Sequence, residues 1–192
     1  LWEYRPGLVE ELDYGRSLYN CLLRSVELIK AGLDPRQAVE QAVGEKFFLP
    51  FAGKKKNATM KQKAKTTLLN FIESHLDELT KIEKTKVQIE LPTDNAVLAG
   101  HIDALLENSE DPVVWMCRTS QEVATSEEIE FQLGLYALFM KLSRGSIPRT
   151  FFVNLGNATS EEFPIDEKKV KAVAKKLKDI LGIDVGETTE DQ

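Results

Sequence analysis

Several groups of side chains have the types and spacing that bear on chemistry. His101 and Asp103 lie two apart in a stretch of alternating character, as do Met116 and Arg118 in the next. Residues two apart on a strand point to one face, so each pair shares a face of its strand. Glu128, Gln132 and Tyr136 follow at intervals of four, which places them on one face of a helix. Lysines cluster twice: Lys54, Lys55 and Lys56 followed by Lys61, Lys63 and Lys65, then Lys168, Lys169, Lys171, Lys175, Lys176 and Lys178. Such runs form solvated faces by default, and alternatively track phosphates, which makes binding salt-sensitive. A lone histidine on a strand is a structural residue more often than a metal ligand, and His75 belongs to a separate segment. Cys21 and Cys117 lack the CxxC spacing of a zinc or redox site, and a reduced, cytoplasmic setting is the expectation.

The elements that must position these groups follow from the hydrophobic period. The chain has 192 residues, 42% hydrophobic and 29% charged, and no apolar run of membrane-spanning length. A soluble globular domain with no membrane partner is expected. With 25 basic against 31 acidic residues the net charge is −6, so attraction to nucleic acid must come from a local patch. Apolar residues recur at helical spacing from Leu8 to Ala31, with Gly32 at the cap position. Asp34 and Pro35 open a second helix running to about Lys46, and a third spans about Thr59 to Lys81 after a solvated loop holding Lys54 to Lys56. The period then drops to two: Val87 to Leu91, Val97 to Leu106 and Val113 to Thr119 read as an antiparallel meander. Ser126 is placed to cap a fourth helix to about Leu142, Thr150 to Leu155 is a fourth strand, and Asp166 to Leu181 a last amphipathic helix. The fold class is α/β with a mixed sheet: one domain over 1–186, helices over 8–81, a core over 85–181 and a frayed tail over 187–192. The start at Leu1 reads as a domain cut from a longer polypeptide.

Three stretches line up in order: Tyr14-Gly15-Arg16-Ser17-Leu18-Tyr19; Gly100-His101-Ile102-Asp103 with Val113 to Ser120; and Gln132-Leu133-Gly134-Leu135-Tyr136. Together they resemble the RecB-like branch of the PD-(D/E)XK nucleases, over about Leu12 to Leu155. The resemblance implies a restriction-endonuclease-like αβββαβ core with an N-terminal helical extension. In that family the first stretch ends in a helical histidine, the second is GxxD followed by (D/E)xK, and the third is QxxxY. Two carboxylates hold a divalent metal and a lysine lies near the attacking water, because hard Mg²⁺ takes oxygen ligands. Asp103 matches the first carboxylate. Met116 stands where the second belongs, Arg118 at the lysine and Tyr19 at the histidine. A thioether is a poor ligand for a hard ion, and arginine does not give up its proton to act as a base.

The resemblance therefore implies a catalytically impaired nuclease-like domain of a DNA helicase or repair protein of RecB/UvrD type. Its partners would be DNA and a preceding helicase domain in the same polypeptide, and its role DNA guidance or structural support. Asp103 and Arg118 would then pair in the old site, with Gln132, Tyr136 and Lys54 to Lys56 as the substrate-binding positions. No metal cofactor is expected on this reading, and two cysteines cannot supply the four that an iron-sulfur cluster takes in relatives that carry one. One alternative is an active deoxyribonuclease in which Asp103 and a relocated carboxylate, Glu128, hold Mg²⁺ or Mn²⁺ and Arg118 stabilises the scissile phosphate. Against this, Glu128 is also an ordinary acidic residue of a first helical turn. A second alternative is a protein-interaction module without DNA binding.

Overall fold

The structure is a computed structural model describing residues 6–50, 52–92, 97–106, 112–119 and 125–182. Trp2 and Tyr4, the Pro92 to Asn95 turn beyond Pro92, most of the loop after Leu106, and the tail from residue 183 lie outside the described residues. The chain divides into two compact units: Leu1–Lys81 with Arg118–Val123 and Asn154–Thr159, and Ile82–Cys117 with Ala124–Val153 and Ser160–Gln192.

The first unit holds α1 (Pro6–Lys30), α2 (Pro35–Lys46) and α3 (Lys54–Leu79). Gly32, at φ 97°, ends α1, and the Leu33 N–H bonds back to the Leu28 carbonyl. Only a residue without a Cβ takes this left-handed turn freely. Asp34 caps α2 by accepting from the Arg36 N–H at 2.9 Å. The buried stripes Leu18, Leu22 and Val26, Ala38, Val39 and Ala42, and Ala64, Leu68, Phe71 and Ile72 supply this unit's core. The third helix starts five residues earlier than the sequence suggests, so Lys54, Lys55 and Lys56 form its exposed first turn instead of a loop. The cause is Asn57, whose side chain bonds Leu49 N and O and the Ala52 carbonyl, tying down the connector that α3 would otherwise have to unwind to reach.

The second unit holds β1 (Ile82–Pro92), β2 (Val97–Leu106), β3 (Val113–Arg118), α4 (Ser126–Arg144), β4 (Arg149–Asn154), β5 (Thr159–Glu162) and α5 (Glu167–Leu181), with terminal residues of β3, β4 and β5 falling in the first. The sheet order is β1-β2-β3-β4-β5. Strands β1, β2 and β3 pair antiparallel. Arg149 N–H bonds Pro112 O at 2.9 Å and Leu155 N–H bonds Arg118 O at 2.8 Å, a constant offset that makes β3 and β4 parallel. Parallel neighbours need a crossover, which α4 supplies. The αβββαβ order and mixed sheet are those expected, with one strand added: β5, four polar residues hydrogen-bonded back to β4 through Phe163 N–H to Thr150 O. The core gathers Ile89, Ile102, Leu105, Val114 and Met116 with Leu133, Ala137 and Met140 of α4 and Val173 and Leu177 of α5. Trp115 is buried as well, as its alternation with Met116 suggests.

Candidate functional site

Asp103 lies on β2 one step past the last paired residues, Ala104 and Trp115, so the same register sets it across from Met116. It is 8% exposed. Its Oδ2 accepts the Cys117 N–H at 2.7 Å, taking over a strand hydrogen bond where the ladder stops. Its Oδ1 lies 3.4 Å from Nε2 of His101, whose ring is 59% exposed. The carboxylate thus meets a backbone donor on the inside and an imidazole on the outside. A buried carboxylate is tolerable only with such partners.

Met116 is 1% exposed and belongs to the apolar core. Arg118 is half-buried at the end of β3, and its carbonyl holds Leu155 of the parallel neighbour. Tyr19 is half-buried on α1, one turn beyond Gly15. A Cβ on Gly15 would stand 2.2 Å from Oγ1 of Thr119, so the absence of a side chain there lets α1 lie against the residue that follows β3.

Glu128 takes part in a capping box with Thr125. Its Oε2 accepts from Thr125 N–H at 2.9 Å and Oγ1 at 3.0 Å, and Thr125 Oγ1 accepts from Glu128 N–H at 3.3 Å. The cap is therefore Thr125, one residue before the expected Ser126. A capping box needs Glu or Gln at the third helical position, and counting back three from Glu128 finds Thr125. Further along α4, Gln132 Nε2 donates to the Tyr136 hydroxyl at 2.9 Å, with Tyr136 buried and Gln132 half-buried.

The two lysine clusters differ in their surroundings. On α5, Lys169 pairs with Glu130 at 3.1 Å and Lys176 with Glu127 at 3.2 Å; Lys169 lies over the Phe163 ring and Lys176 over the Phe131 ring. Lys141 of α4 pairs with Glu167. These contacts join α5 to α4. Lys54, Lys55 and Lys56 stand at the positive end of α3, whose first turn holds no acidic residue. His75 sits at a break in α3, at φ −130° and ψ 24°, with Nδ1 3.0 Å from the Phe71 carbonyl and its ring stacked on Phe71. This is a structural placement. Both cysteines are free and buried. Burial pushes the Cys21 thiol up to about 12, which keeps it protonated and unreactive.

One notable residue escapes sequence reasoning. Lys86 on β1 adopts φ 50°, a left-handed conformation that costs a non-glycine residue about 1–2 kcal/mol. The flanking pairs Thr85 with Ala104 and Val87 with Ile102 keep one register, so Lys86 stands across from Asp103. No residue type announces a left-handed Lys86, since lysine is an ordinary strand-edge residue.

Among the described residues, those that the resemblance singles out do not suit a divalent cation held by two carboxylates. Asp103 has one oxygen engaged by a backbone N–H, the residue across from it is a core methionine, and Glu128 is part of a helix cap. Among the described residues no group of three or more His, Cys, Asp or Glu is placed to hold a metal ion. No described helix is long and apolar enough to cross a membrane.

No family model matches the chain. No curated protein matches it either. Among solved structures, a protein from Eubacterium rectale named "Putative exonuclease" is similar at 9% identity and a TM-score of 0.48, over 84% of this chain and 65% of that one. Protein VC1899 from Vibrio cholerae is similar at 13% identity and a TM-score of 0.35, over 91% of this chain and 47% of that one. The protein SSO0001 is similar at 15% identity and a TM-score of 0.35, over 81% and 82%. The chain spans less than two thirds of the length of the first two. Likeness this distant says nothing of what the chain does.

Proposed function

We propose that this chain is a nuclease-fold module that has lost hydrolysis and serves a DNA helicase or repair protein by guiding DNA or bracing its neighbours. The single observation that carries this reading is the state of position 116. Where the resemblance calls for a second metal-binding acid, Met116 fills the core, and Asp103 across from it has turned an oxygen to the Cys117 N–H. One carboxylate with a backbone partner is a weak ligand set for a hard cation, and without the cation no water is acidified. Arg118 keeps a positive charge without offering a base. Gln132 and Tyr136 keep the mutual hydrogen bond that orients a polar pair on α4.

A single-turnover assay with Mg²⁺ or Mn²⁺ on single- and double-stranded DNA tests this. Salt-dependent binding without cleavage is expected, together with no heat of Mn²⁺ binding lost in Asp103→Ala. Cleavage that disappears in Asp103→Ala overturns the reading.

A further inference from the structure

We propose that Phe48 is a stacking platform for a base of single-stranded DNA, with Lys54 and Lys55 beside it to meet the adjoining phosphates. The inference deepens the DNA-guiding reading above and rests on it. Phe48 lies in the connector between α2 and α3, within the first unit. The chain is extended at Phe47 and side chains alternate along it: Phe47 and Leu49 are buried while Phe48 is 65% exposed. Both neighbours of the ring are thus anchored in the core. Hydrogen bonds hold the backbone as well. The Phe48 carbonyl accepts from Ser17 Oγ of α1 at 2.7 Å, and the Asn57 side chain bonds the N–H and the carbonyl of Leu49, each at 3.0 Å. Asn57 follows Lys54 by three residues, nearly one helical turn, so one side chain ties the ring's connector to the exposed lysine turn.

Among the described residues the large apolar side chains left exposed are Phe48, Val97, Leu142 and Ile180, and of these Phe48 alone has an aromatic face. Elsewhere the chain covers such faces with its own cations. Lys63 lies over Tyr14, Arg149 over Phe151, Lys169 over Phe163 and Lys176 over Phe131, with 4.9 to 5.6 Å to the ring centres. Among the described residues no basic group lies over Phe48 and no ring stacks on it. Positive charge nearby is also left for a ligand: the first turn of α3 holds no acid, Glu40 pairs with Lys65 and Glu45 with Arg24. A lipid surface would call for a broad apolar face, whereas the exposed positions that follow on α3 are the lysines, Ala58, Thr59 and Gln62. One ring suits one unpaired base, because every base has a π face and stacking needs no sequence readout. An ammonium on a long flexible stem is suited to a phosphate as a point charge.

The test uses the 192-residue chain, a fluorescent single-stranded oligodeoxynucleotide and a salt series, with an abasic oligomer of equal length and phosphatidylserine vesicles alongside. Phe48→Ala is expected to weaken binding of the oligonucleotide roughly fivefold to a hundredfold, with the slope of log K against log salt unchanged. Phe48→Trp is expected to bind at least as tightly as the parent. Phe48→Leu keeps the apolar bulk, which guards against a loss caused by unfolding, and is expected to bind as weakly as the alanine variant. The abasic oligomer is expected to bind the parent and Phe48→Ala alike. Lys54→Gln combined with Lys55→Gln is expected to shrink the slope by about 1.4, two phosphates at about 0.7 each. Unchanged affinity in Phe48→Ala, with the parent binding DNA, overturns the inference and leaves the DNA-guiding reading standing. Parent-like binding by Phe48→Leu overturns it too, since an apolar contact then suffices, and so does an unchanged slope in the lysine pair. A parent chain that binds no DNA even at low salt, whether or not it binds the vesicles, overturns both.

Discussion

Asp103 and Glu128 do the same thing in two very different places. Each turns one carboxylate oxygen to a backbone N–H: Asp103 to Cys117 between two strands, Glu128 to Thr125 at the start of α4. The first is buried and the second exposed. Water replaces a lost partner at the helix start but cannot reach the strand pair, so the same bond matters far more in one place than in the other. A carboxylate close to a family motif is thus no measure of catalytic use. What surrounds it decides whether it is an acid held for chemistry or an acceptor completing a backbone.

The hardest challenge to this contrast is Met116→Glu, which puts a carboxylate across from Asp103 in the apolar core. A loss of about 3 kcal/mol or more is expected on denaturant unfolding, because an unpaired acid replaces a packed thioether. A stable variant that gains Mg²⁺-dependent cleavage would show the strand pair to be a metal site lacking one ligand. Next in size, Asp103→Ala leaves the Cys117 N–H without its acceptor inside the protein, and about 1–3 kcal/mol of stability should be lost. A loss below that range would make the buried and exposed bonds equivalent. The smallest effect is at the helix start: Glu128→Ala should cost under about 1 kcal/mol, and Glu128→Gln, which still closes a capping box, close to nothing. A thermal melt of the two variants side by side separates capping from a charge requirement.

Much of the fold could be read from residue types because the controlling signals are local. Asp34 and Pro35 start α2 by a cap and a fixed φ, and Gly32 stops α1 by lacking a Cβ. Strands β2 and β3 are legible as apolar runs, since residues 102–106 and 114–117 are buried one after another. The start of α3 is not legible locally, because Asn57, a side chain three residues inside the helix, reaches back to Leu49 and Ala52. Strand β5 has no apolar alternation at all, since Thr159 to Glu162 is held by the neighbouring strand and not by burial. For the candidate site, the spacing alone put Gln132 within reach of Tyr136 and His101 beside Asp103. The Cys117 N–H under Asp103 and the left-handed Lys86 were invisible, because both depend on how two strands meet and not on either strand by itself.

Gly134 lies between Gln132 and Tyr136, and a methyl group there would come within 2.6 Å of a Val173 methyl on α5. The two helices are therefore seated at a separation that only a hydrogen atom permits. Their spacing is written into one position of the chain: an alanine there would have to push Val173 aside or part the two helices.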